Sequence, residues 1–460
     1  MSEISRRSFL AAPAVLPQAA AAAPAGPRPN VVIFLADDLG WNDVGYQGSE
    51  ITTPHIDRLA GEGVRFNQFY SYPVCSPTRS GLLTGRSPMR YGMIYTVLRP
   101  WAPYGLPVDE NIMPQTFKAL GYQTAMVGKW HLGHARAAHL PHSRGFDHFY
   151  GHVNGAIDYL SHDRDGAIDW QRNGKTVREP GYSTDLLAAE AVRLIRERDR
   201  ARPLFLYAAF NAPHTPLMAP KELIAKYAKI ADERRRTYAA MVDSLDGAIG
   251  KVVAALEEAG ISDNTLVLFL SDNGGNLSAG GRNLPYRAGK GTVFEGGIRV
   301  PALMRWRGHL PAGHTFDTPA TVLDILPTLA AAAGGKPFST KPLDGKDLWP
   351  VIGSGGGPRE DLYFAIETER DRQWAVRRGQ WKFVERIARA DLKSTRYLFD
   401  LEADPLEKSD LSAANRPLVQ ELAAGIAAWR SLHPPCDLLS SMTPHPGWIP
   451  PRDWAEAALP

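Results

Sequence analysis

Two pairs of neighbouring polar residues could bind a divalent cation. Asp37 and Asp38 follow one apolar run of the sequence, and Asp272 and Asn273 follow another. Their side chains offer only oxygen ligands, which Ca2+ and Mg2+ prefer, whereas zinc prefers nitrogen and sulfur. Either pair alone is more often part of a turn or a helix cap, so the interpretation depends on both pairs together. They predict a site for one divalent cation and favour Ca2+ over Mg2+.

Two further apolar runs resemble the runs that precede these pairs. Each of the four runs is followed by residues that could take part in catalysis or bind a metal. Runs that are apolar throughout suit strands buried on both faces. The runs and the residues that follow them are 31–35 before Asp37 and Asp38, 124–127 before Lys129 and His131, 204–207 before His214, and 266–270 before Asp272 and Asn273.

Helical patterns lie between the runs. From Tyr238, apolar residues recur at three- and four-residue spacing, and Gly260 lies where this helix should end. Ser183 or Thr184 can cap another helix that extends to about Arg198. Strands that alternate with helices predict an α/β fold, with a large, mostly parallel mixed sheet flanked by helices. Ligands of such sheets bind outside the carboxyl ends of the strands. The polar residues at the four strand ends are therefore expected to meet in one catalytic site.

The N-terminus has the character of a targeting segment. Arg6 and Arg7, followed by Phe9, Leu10 and an alanine-rich run, are typical of a twin-arginine export signal. We therefore interpret residues 1–25 as a signal peptide. It predicts a periplasmic or secreted location, with the twin-arginine export machinery as a partner.

The composition changes again near the C-terminus. Short strand patterns after about residue 357, followed by a helical pattern from about 417 to 429, predict a small antiparallel α+β domain. The expected domains are a catalytic domain at 29–355 and a C-terminal domain at 358–460.

The composition also excludes several classes of protein. A formal net charge of +3 over 460 residues gives no support for the basic face that nucleic-acid binding needs. After the signal segment, no apolar stretch approaches the ~20 residues of a membrane span. The two cysteines, Cys75 and Cys436, are too few for a disulfide framework. We therefore expect neither a nucleic-acid partner nor a membrane span.

The segment that begins at Cys75 has the sequence pattern of a short helix. Ser76 can cap a short helix, Pro77 suits its first position and Gly85 can end it. Residue 75 then faces the positive end of the helix, with Arg79 one turn away. Cys75 could be a small buried apolar residue or a thiolate nucleophile. Neither alternative explains a sulfur atom beside a cation site built from oxygen ligands.

This segment resembles the signature of the sulfatase family, a group of formylglycine-dependent enzymes in the alkaline-phosphatase-like superfamily. In that family a separate maturation enzyme converts the cysteine to formylglycine, whose hydrate supplies oxygen to the cation and to the sulfur centre. The resemblance covers nearly the whole mature chain. The other matching motifs are residues 37–45, 128–133, 271–275, 295–299 and 398–407.

Within the family, the chain resembles the arylsulfatase B, or N-acetylgalactosamine-4-sulfatase, type. Residues 41–45, 158–162 and 340–345 carry this closer similarity. The chain lacks the additional cysteines of the animal enzymes, so their disulfide bonds are absent. The resemblance implies a sulfuric ester hydrolase. Its first expected substrate is 4-sulfated N-acetylgalactosamine, and an aryl sulfate or another carbohydrate sulfate is the second.

The resemblance also implies how the cation and the sulfate are held. An oxygen of modified residue 75 would ligate the cation and attack sulfur, and Lys129 and Lys290 would bind the sulfate oxygens. The implied metal ligands are Asp37, Asp38, Cys75, Asp272 and Asn273.

The remaining implied roles concern protons and orientation. His214, aided by Lys290, would protonate the leaving alcohol while it contacts the substrate. His131 would remove the proton from the second hydroxyl of the hydrate. Arg79 would orient residue 75, and His162 is a candidate for sugar recognition.

Three other functions stay open at this level. A phosphodiesterase or phosphonate monoester hydrolase would use the same scaffold and cation. A catalytically dead homologue would bind carbohydrate without cleaving it. A cysteine hydrolase would use the Cys75 thiolate itself.

Overall fold

The computed structural model describes residues 28–356, 359–435 and 443–459. The predicted signal peptide at residues 1–25 and the second cysteine, Cys436, lie outside these residues. The twin-arginine export signal therefore stays a prediction.

Strands and helices alternate through most of the described chain. The strands are β1 (Asn30–Ala36), β2 (Val64–Phe66), β3 (Phe69–Tyr70), β4 (Gln123–Lys129), β5 (His148–His152), β6 (Asp163–Arg164), β7 (Ala167–Ile168), β8 (Gln171–Arg172), β9 (Lys175–Thr176), β10 (Leu204–Ala209), β11 (Thr265–Ser271), β12 (Ala302–Arg305), β13 (His314–Phe316), β14 (Ala320–Thr321), β15 (Leu362–Glu367), β16 (Asp371–Arg378), β17 (Trp381–Ala388) and β18 (Ser394–Asp400). The helices are α1 (Pro54–Gly61), α2 (Cys75–Thr84), α3 (Met113–Ala119), α4 (Ser183–Glu197), α5 (Lys221–Lys226), α6 (Glu233–Glu258), α7 (Glu295–Ile298), α8 (Ile325–Ala332) and α9 (Arg416–Arg430). Within the described ranges, none of the helices has the length and apolar character needed to cross a membrane.

Ten strands form one mixed sheet in the order β13-β2-β12-β11-β1-β10-β4-β5-β8-β9. The central strands β11, β1, β10, β4 and β5 are parallel, and four of these five are the predicted apolar runs. Antiparallel pairings extend the sheet at both ends. The predicted fold class, a large mostly parallel mixed sheet flanked by helices, is confirmed.

β1 is apolar throughout because its alternate side chains enter two separate cores. Val31, Ile33 and Leu35 pack into the core that contains residues of α2, α3 and α8. Val32 and Phe34 pack into the core that contains residues of α4 and α6. The sheet is therefore covered on both faces, as a central parallel sheet requires.

The helix predicted from Tyr238 is α6, and it begins earlier than its apolar pattern. Asp232 caps it, because the Asp232 Oδ1 accepts hydrogen bonds from the backbone nitrogens of Arg234 and Arg235 at 2.9 and 3.1 Å. Gly260 follows the last turn with a left-handed φ of +67°, which favours glycine. The predicted end of the helix is therefore confirmed.

The predicted cap of α4 is wrong. Tyr182 precedes the helix, and Ser183 and Thr184 lie inside its first turn. The Ser183 hydroxyl instead accepts a hydrogen bond from Asn211 Nδ2 at 3.1 Å. This contact ties α4 to the residues that follow β10.

The predicted start of α2 is also wrong, by two residues. Val74 precedes the helix and Cys75 is its first residue, so Ser76 does not cap it. The Ser76 hydroxyl donates to the backbone oxygen of His131 at 3.0 Å instead. Gly85 ends the helix with a φ of +65°, as predicted.

The C-terminal residues form a second, antiparallel sheet in the order β15-β16-β17-β18. Helix α9 packs against β16 and β17, so the predicted small antiparallel α+β unit is confirmed. Its Phe364 lies 5.7 Å from Tyr70, ring centre to ring centre, and both belong to the first core. The exact domain boundaries at residues 355 and 358 stay a prediction.

Candidate active site

The polar residues at the strand ends lie together at the carboxyl edge of the central strands. Asp37 and Asp38 follow β1, and Asp272 follows the neighbouring strand β11. The backbone nitrogen of Asp38 donates to Asp272 Oδ1 at 3.2 Å. Lys129 is the last residue of β4. The structure therefore brings together residues that are more than 200 positions apart in the chain.

Two buried carboxylates each have an ammonium partner. Lys129 Nζ donates to Asp37 Oδ2 at 2.6 Å, and both side chains are fully buried. Lys290 Nζ donates to Asp38 Oδ2 at 2.7 Å. Burial by itself would raise the pKa of Asp38, but the charge of Lys290 holds that pKa well below its ordinary value. Asp38 is therefore ionised over the whole working pH range.

Arg79 joins the ends of two strands. Its Nε and Nη2 donate to Asp272 Oδ2 at 3.1 and 2.8 Å, and its Nη1 donates to the backbone oxygen of Lys129 at 2.9 Å. The guanidinium is fully buried, and its rigid planar fork suits a paired contact of this kind. Burial and the charge of Asp37 raise the pKa of Asp272 to about 6.

Cys75 stands between the two cation–carboxylate pairs. Its Sγ lies 3.5 Å from Asp37 Oδ1 and 3.8 Å from Lys290 Nζ. Burial and the charge of Asp272 raise the pKa of the thiol well above its ordinary value. A thiol with a raised pKa is protonated at neutral pH and is a weak nucleophile. The surroundings of residue 75 therefore disfavour a thiolate.

His131 is held as a neutral imidazole with one lone pair available. Its Nε2 lies 2.8 Å from the carbonyl oxygen of Leu98, so Nε2 carries the hydrogen. Its Nδ1 is buried and has no hydrogen-bond partner among the described residues. Burial and the charge of Lys129 lower the pKa of His131 well below its ordinary value. The Nδ1 atom can therefore accept a proton.

His214 has the opposite tautomer. Its Nδ1 lies 2.6 Å from the carbonyl oxygen of Thr215, so Nδ1 carries the hydrogen. Its Nε2 lies 3.7 Å from Asp38 Oδ2. Burial and the charge of Lys290 lower the pKa of His214 to about 3. Without substrate, the Nε2 atom therefore bears a lone pair.

The residues of this site fit a hard divalent cation. Asp37, Asp38, Cys75 and His214 each offer one ligand atom within 4.8 Å of the others. Asn273 Nδ2 donates to Asp38 Oδ1 at 2.8 Å, while Asn273 Oδ1 is buried without a hydrogen-bond partner in the described part of the chain. A buried acceptor without a donor is costly unless something binds it. Carboxylate and amide oxygens gathered in this way are typical of a Ca2+ or Mg2+ site.

This group of four differs from the predicted ligand set in two residues. Asp272 lies outside the group of four, because its Oδ2 is occupied by Arg79 and its Oδ1 accepts from the Asp38 backbone. His214 lies within the group, although the sequence indicated proton transfer and substrate contact for it rather than metal binding. The predicted ligand set, Asp272 included, therefore stays a prediction.

A cavity of about 660 Å3 opens over these residues. Cys75, His131, His214 and Lys290 line one part of it. Another part is lined by the C-terminal sheet, through residues 366–371, Gln373 and Arg386, and Arg99 and Arg164 complete the wall. Sequence reasoning missed these residues, because no local pattern indicates which side chains of the C-terminal sheet, or of the segments that carry Arg99 and Arg164, fold over the site.

His162 is not brought into this cavity. It is 1% exposed and stacks on Trp170, with ring centres 4.5 Å apart. Its Nε2 lies 3.2 Å from the backbone oxygen of Gly181. These are the contacts of a packed structural histidine, so sugar recognition by His162 finds no support in the structure.

Comparison with known proteins identifies the family to which the chain is similar. The family model described as Sulfatase matches residues 29–335. Arylsulfatase J of Mus musculus is 35% identical over 446 residues, covering 86% of this chain and 74% of that protein. N-acetylgalactosamine-6-sulfatase of Rattus norvegicus is 38% identical over 360 residues, covering 73% of this chain and 67% of that protein.

A solved structure resembles the chain over a similar length. Ps i-CgsB, in complex with k-i-k-neocarrahexaose, superposes with a TM-score of 0.82 at 36% identity, covering 88% of this chain and 94% of that one. The closer resemblance to the arylsulfatase B type stays a prediction, because these relatives carry other names. The chain belongs to the sulfatase family and is a sulfuric ester hydrolase.

Proposed function

We propose that this chain cleaves a sulfate ester of a sulfated carbohydrate, with formylglycine made from Cys75 and one bound Ca2+. The observation that carries the proposal is the position of Cys75. Its Sγ lies near a carboxylate oxygen of Asp37 and the ammonium of Lys290. It also lines a cavity whose volume of about 660 Å3 suits a sugar unit with its sulfate. An oxygen nucleophile at residue 75 would therefore meet both the cation and the substrate.

The cation would be held by oxygen ligands. The buried and unpartnered Asn273 Oδ1 supports this assignment, and Ca2+ is favoured because it accepts many oxygen ligands in irregular geometry. A bound Ca2+ would supply charge that polarises a sulfate oxygen and favours ionisation of a nearby hydroxyl. The ligands would be Asp37, Asp38, Asp272, Asn273 and residue 75.

Residue 75 requires conversion by a maturation enzyme. The thiol is buried, and its raised pKa makes it a weak nucleophile. Formylglycine, once formed and hydrated, supplies a hydroxyl nucleophile at the same position. The N-terminus of α2 and Arg79 would favour negative charge there, because helix N-termini carry partial positive charge.

Lys129 and Lys290 are suited to bind the sulfate oxygens. Each ammonium has one carboxylate partner, which leaves further N–H donors for a substrate. The loop of Lys290 is fixed, because Gly291 N donates to the backbone oxygen of Pro73 at 2.9 Å. Donors fixed in advance stabilise charge that builds up in a transition state without a cost of reorganisation.

The two histidines are suited to opposite proton transfers. His131 presents a free Nδ1 lone pair and would accept a proton from residue 75. His214 would donate a proton to the leaving alcohol from Nε2, once an arriving sulfate raises its pKa. The neighbouring Lys290 keeps the protonated form of His214 strongly acidic.

A carbohydrate sulfate is the favoured substrate class. One relative is named for an N-acetylgalactosamine sulfate, and the similar solved structure holds a neocarrahexaose. We propose 4-sulfated N-acetylgalactosamine as the first candidate, with an aryl sulfate or another carbohydrate sulfate as the second. Residues 41–45, 158–162 and 340–345 support this order.

The test compares esters on protein produced together with a maturation enzyme. We expect kcat/KM on aryl sulfate and on 4-sulfated N-acetylgalactosamine to exceed kcat/KM on an aryl phosphate or phosphonate by about a hundredfold. Chelation should abolish the activity, and Ca2+ should restore it better than Mg2+.

Lys290→Ala should reduce kcat/KM by about a hundredfold or more, whereas Arg196→Ala, on an exposed part of α4, serves as the unchanged control. Preference for the phosphorus esters would favour a phosphodiesterase or phosphonate hydrolase, and no turnover by matured protein would favour a dead homologue.

We also propose export by the twin-arginine route. Replacement of Arg6 and Arg7 by lysine should retain the enzyme inside the cell in active form, because this route carries folded proteins. Export that is unaffected by the replacement would contradict the proposal.

A further inference from the structure

The backbone of His131 has a conformation that its surroundings must hold. Its φ of +57° lies in the left-handed region, which costs free energy for a residue other than glycine. Its backbone nitrogen donates to the backbone oxygen of Val153 at 3.1 Å. Its backbone oxygen accepts from the Ser76 hydroxyl at 3.0 Å. Ser76 therefore helps to hold the proposed proton acceptor in place.

Ser76, Leu98 and His131 form a closed network of three hydrogen bonds, which we call the Ser76 network. The Ser76 hydroxyl donates to the backbone oxygen of His131 and accepts from the backbone nitrogen of Leu98 at 3.1 Å. Leu98 closes the network, because its backbone oxygen accepts from His131 Nε2 at 2.8 Å. The network thus fixes both the backbone and the imidazole of His131.

One hydroxyl makes two of these three hydrogen bonds. Ser76 is 0% exposed, so bulk water does not reach this position. Without the hydroxyl, the backbone nitrogen of Leu98 and the backbone oxygen of His131 would each lose a partner in a buried place, which is unfavourable. The segment at Leu98 would then shift, and the imidazole would lose its fixed acceptor.

Gly155 packs against the same imidazole. A Cβ at this position would lie 2.5 Å from His131 Cε1 and 2.6 Å from His131 Nε2, so a larger residue would displace the ring. Gly155, His131 and Cys75 line the same cavity. The imidazole therefore has little room to move while Leu98 holds its Nε2.

Ser76 also belongs to the helix that carries the proposed nucleophile. Cys75 is the first residue of α2, and Ser76 is the second. Ser76 and His131 are 55 positions apart in the chain. A single serine side chain thus links the position of residue 75 to the position of the proposed proton acceptor.

We propose that Ser76 is a positioning residue for the proton transfer to His131 that releases sulfate. The proposal rests on the proposed function, in which residue 75 attacks sulfur, the alcohol leaves and His131 acts next. The proton passes from the remaining hydroxyl of residue 75 to His131 Nδ1, the O–H electron pair forms a carbonyl bond, and sulfate leaves with the electron pair of its bond to carbon. The rate of this step depends on the alignment of Nδ1, which the Ser76 network supplies.

The kinetic test uses the matured full chain with an aryl sulfate. Ser76→Ala should lower kcat by about tenfold or more, while kcat/KM stays within about threefold of the wild type. The reason is that kcat/KM reports the steps up to release of the alcohol, whereas kcat includes the later proton transfer. Gly155→Ala should give the same result, because its Cβ would displace the imidazole while the Ser76 hydroxyl is retained.

Ser80→Ala is the matched control. It removes another fully buried hydroxyl of α2, which donates to the backbone oxygen of Pro77 at 2.9 Å and lies outside the Ser76 network. Both kcat and kcat/KM should stay near the wild-type values. Because these changes lie close to the site of maturation, each rate is divided by the fraction of residue 75 that the peptide mass shows to be converted.

Hydrogen exchange of the full chain tests the Ser76 network without turnover. In Ser76→Ala the backbone amide of Leu98 should exchange about tenfold faster or more than in the wild type, because it loses its acceptor in the folded state. The amides of β1 should keep their wild-type protection, which shows that the fold is intact. Ser80→Ala should leave the Leu98 amide unchanged.

The two measurements separate the possible results. A fall in kcat with retained kcat/KM, together with faster exchange at Leu98, supports the positioning role. Equal falls in kcat and kcat/KM, unchanged kinetics, or an unchanged Leu98 amide would overturn this role while leaving the proposed function intact. A matured wild type that hydrolyses no sulfate ester would contradict the proposed function and, with it, the role of Ser76.

Discussion

Lys382 and Glu295 form a fully buried ion pair, with Lys382 Nζ 2.9 Å from Glu295 Oε1. Lys382 lies in β17 of the C-terminal sheet, and Glu295 begins α7, five residues after Lys290. The same Nζ lies 2.9 Å from Glu407 Oε1, and Glu407 Oε2 accepts from the backbone nitrogen of Glu295 at 2.7 Å. The C-terminal sheet therefore fixes the segment that carries Lys290.

Lys382→Met should destabilise the protein strongly. The change leaves two buried carboxylates, Glu295 and Glu407, without their shared cation, which costs about 3–5 kcal/mol. The free energy of unfolding in urea measures the effect. Arg396→Ala removes the half-exposed partner of Glu385 in the same sheet and should cost less than about 1 kcal/mol. Equal losses in the two variants would contradict the importance of the buried cluster.

This cluster explains two motifs whose role the sequence does not indicate. Residues 295–299 and 398–407 match the family pattern, yet neither contains an expected catalytic residue. Glu295 and Glu407 are 112 positions apart, and Lys382 lies outside both motifs. A contact of this kind depends on how the second sheet packs on the first, and local periodicity carries no information about such packing.

Gly128→Ala should destabilise the end of β4. Gly128 has a left-handed φ of +104°, and a Cβ there would lie 1.9 Å from the backbone oxygen of Ala209. Strain and overlap together should cost at least about 2 kcal/mol and displace Lys129. Thermal unfolding and kcat/KM measure the two effects.

The matched control is Gly61→Ala. A Cβ at Gly61 meets nothing within 4 Å, and alanine favours a helix over glycine. The variant should be as stable as the wild type or slightly more stable. A Gly128→Ala protein with wild-type stability would show that the strand ends tolerate displacement.

Asp169 should give a measurable pH dependence of stability. It accepts hydrogen bonds from the backbone nitrogens of Val153 and Asn154, each at 2.9 Å, and burial raises its pKa from 3.8 to about 6. The folded state then binds this proton more tightly than the unfolded chain does. Its contribution to stability is present below about pH 4 and is lost as the pH rises through 6, by roughly 3 kcal/mol in all.

Asp169→Asn removes this titration. The difference in the free energy of unfolding between wild type and variant should therefore change between pH 4 and pH 7, in favour of the variant at the higher pH. Parallel curves for the two proteins would show that the pKa of Asp169 is not raised. Unfolding in urea at several pH values supplies the measurement.

Arg79→Lys should impair catalysis although it keeps the charge. An ammonium has no planar fork, so it cannot contact both Asp272 and the backbone oxygen of Lys129 as Arg79 does. We expect kcat/KM to fall by about tenfold or more, with a weaker affinity for Ca2+. An activity titration with Ca2+ distinguishes the two effects, and unchanged values of both would contradict the positioning role of Arg79.

The strand ends account for what could be predicted about the fold and the site. The four runs could be predicted as strands buried on both faces, because their apolar character continues along each strand. Asp37, Asp38 and Asp272 could be predicted to lie close together, because they follow the carboxyl ends of these strands. The start of α2 could not be predicted in the same way, because Ser76 satisfies His131 and Leu98 rather than its own helix. Tertiary contacts here override a local capping preference.

The mass of the peptide that contains residue 75, taken from protein that hydrolyses an aryl sulfate, decides whether the nucleophile is formylglycine. Conversion of cysteine to formylglycine replaces sulfur by oxygen with loss of two hydrogens, and should lower the peptide mass by about 18 Da. The account predicts this lower mass in a fraction of the protein that rises and falls with activity across preparations with and without the maturation enzyme. Full activity in protein whose Cys75 is entirely an unmodified thiol would contradict it.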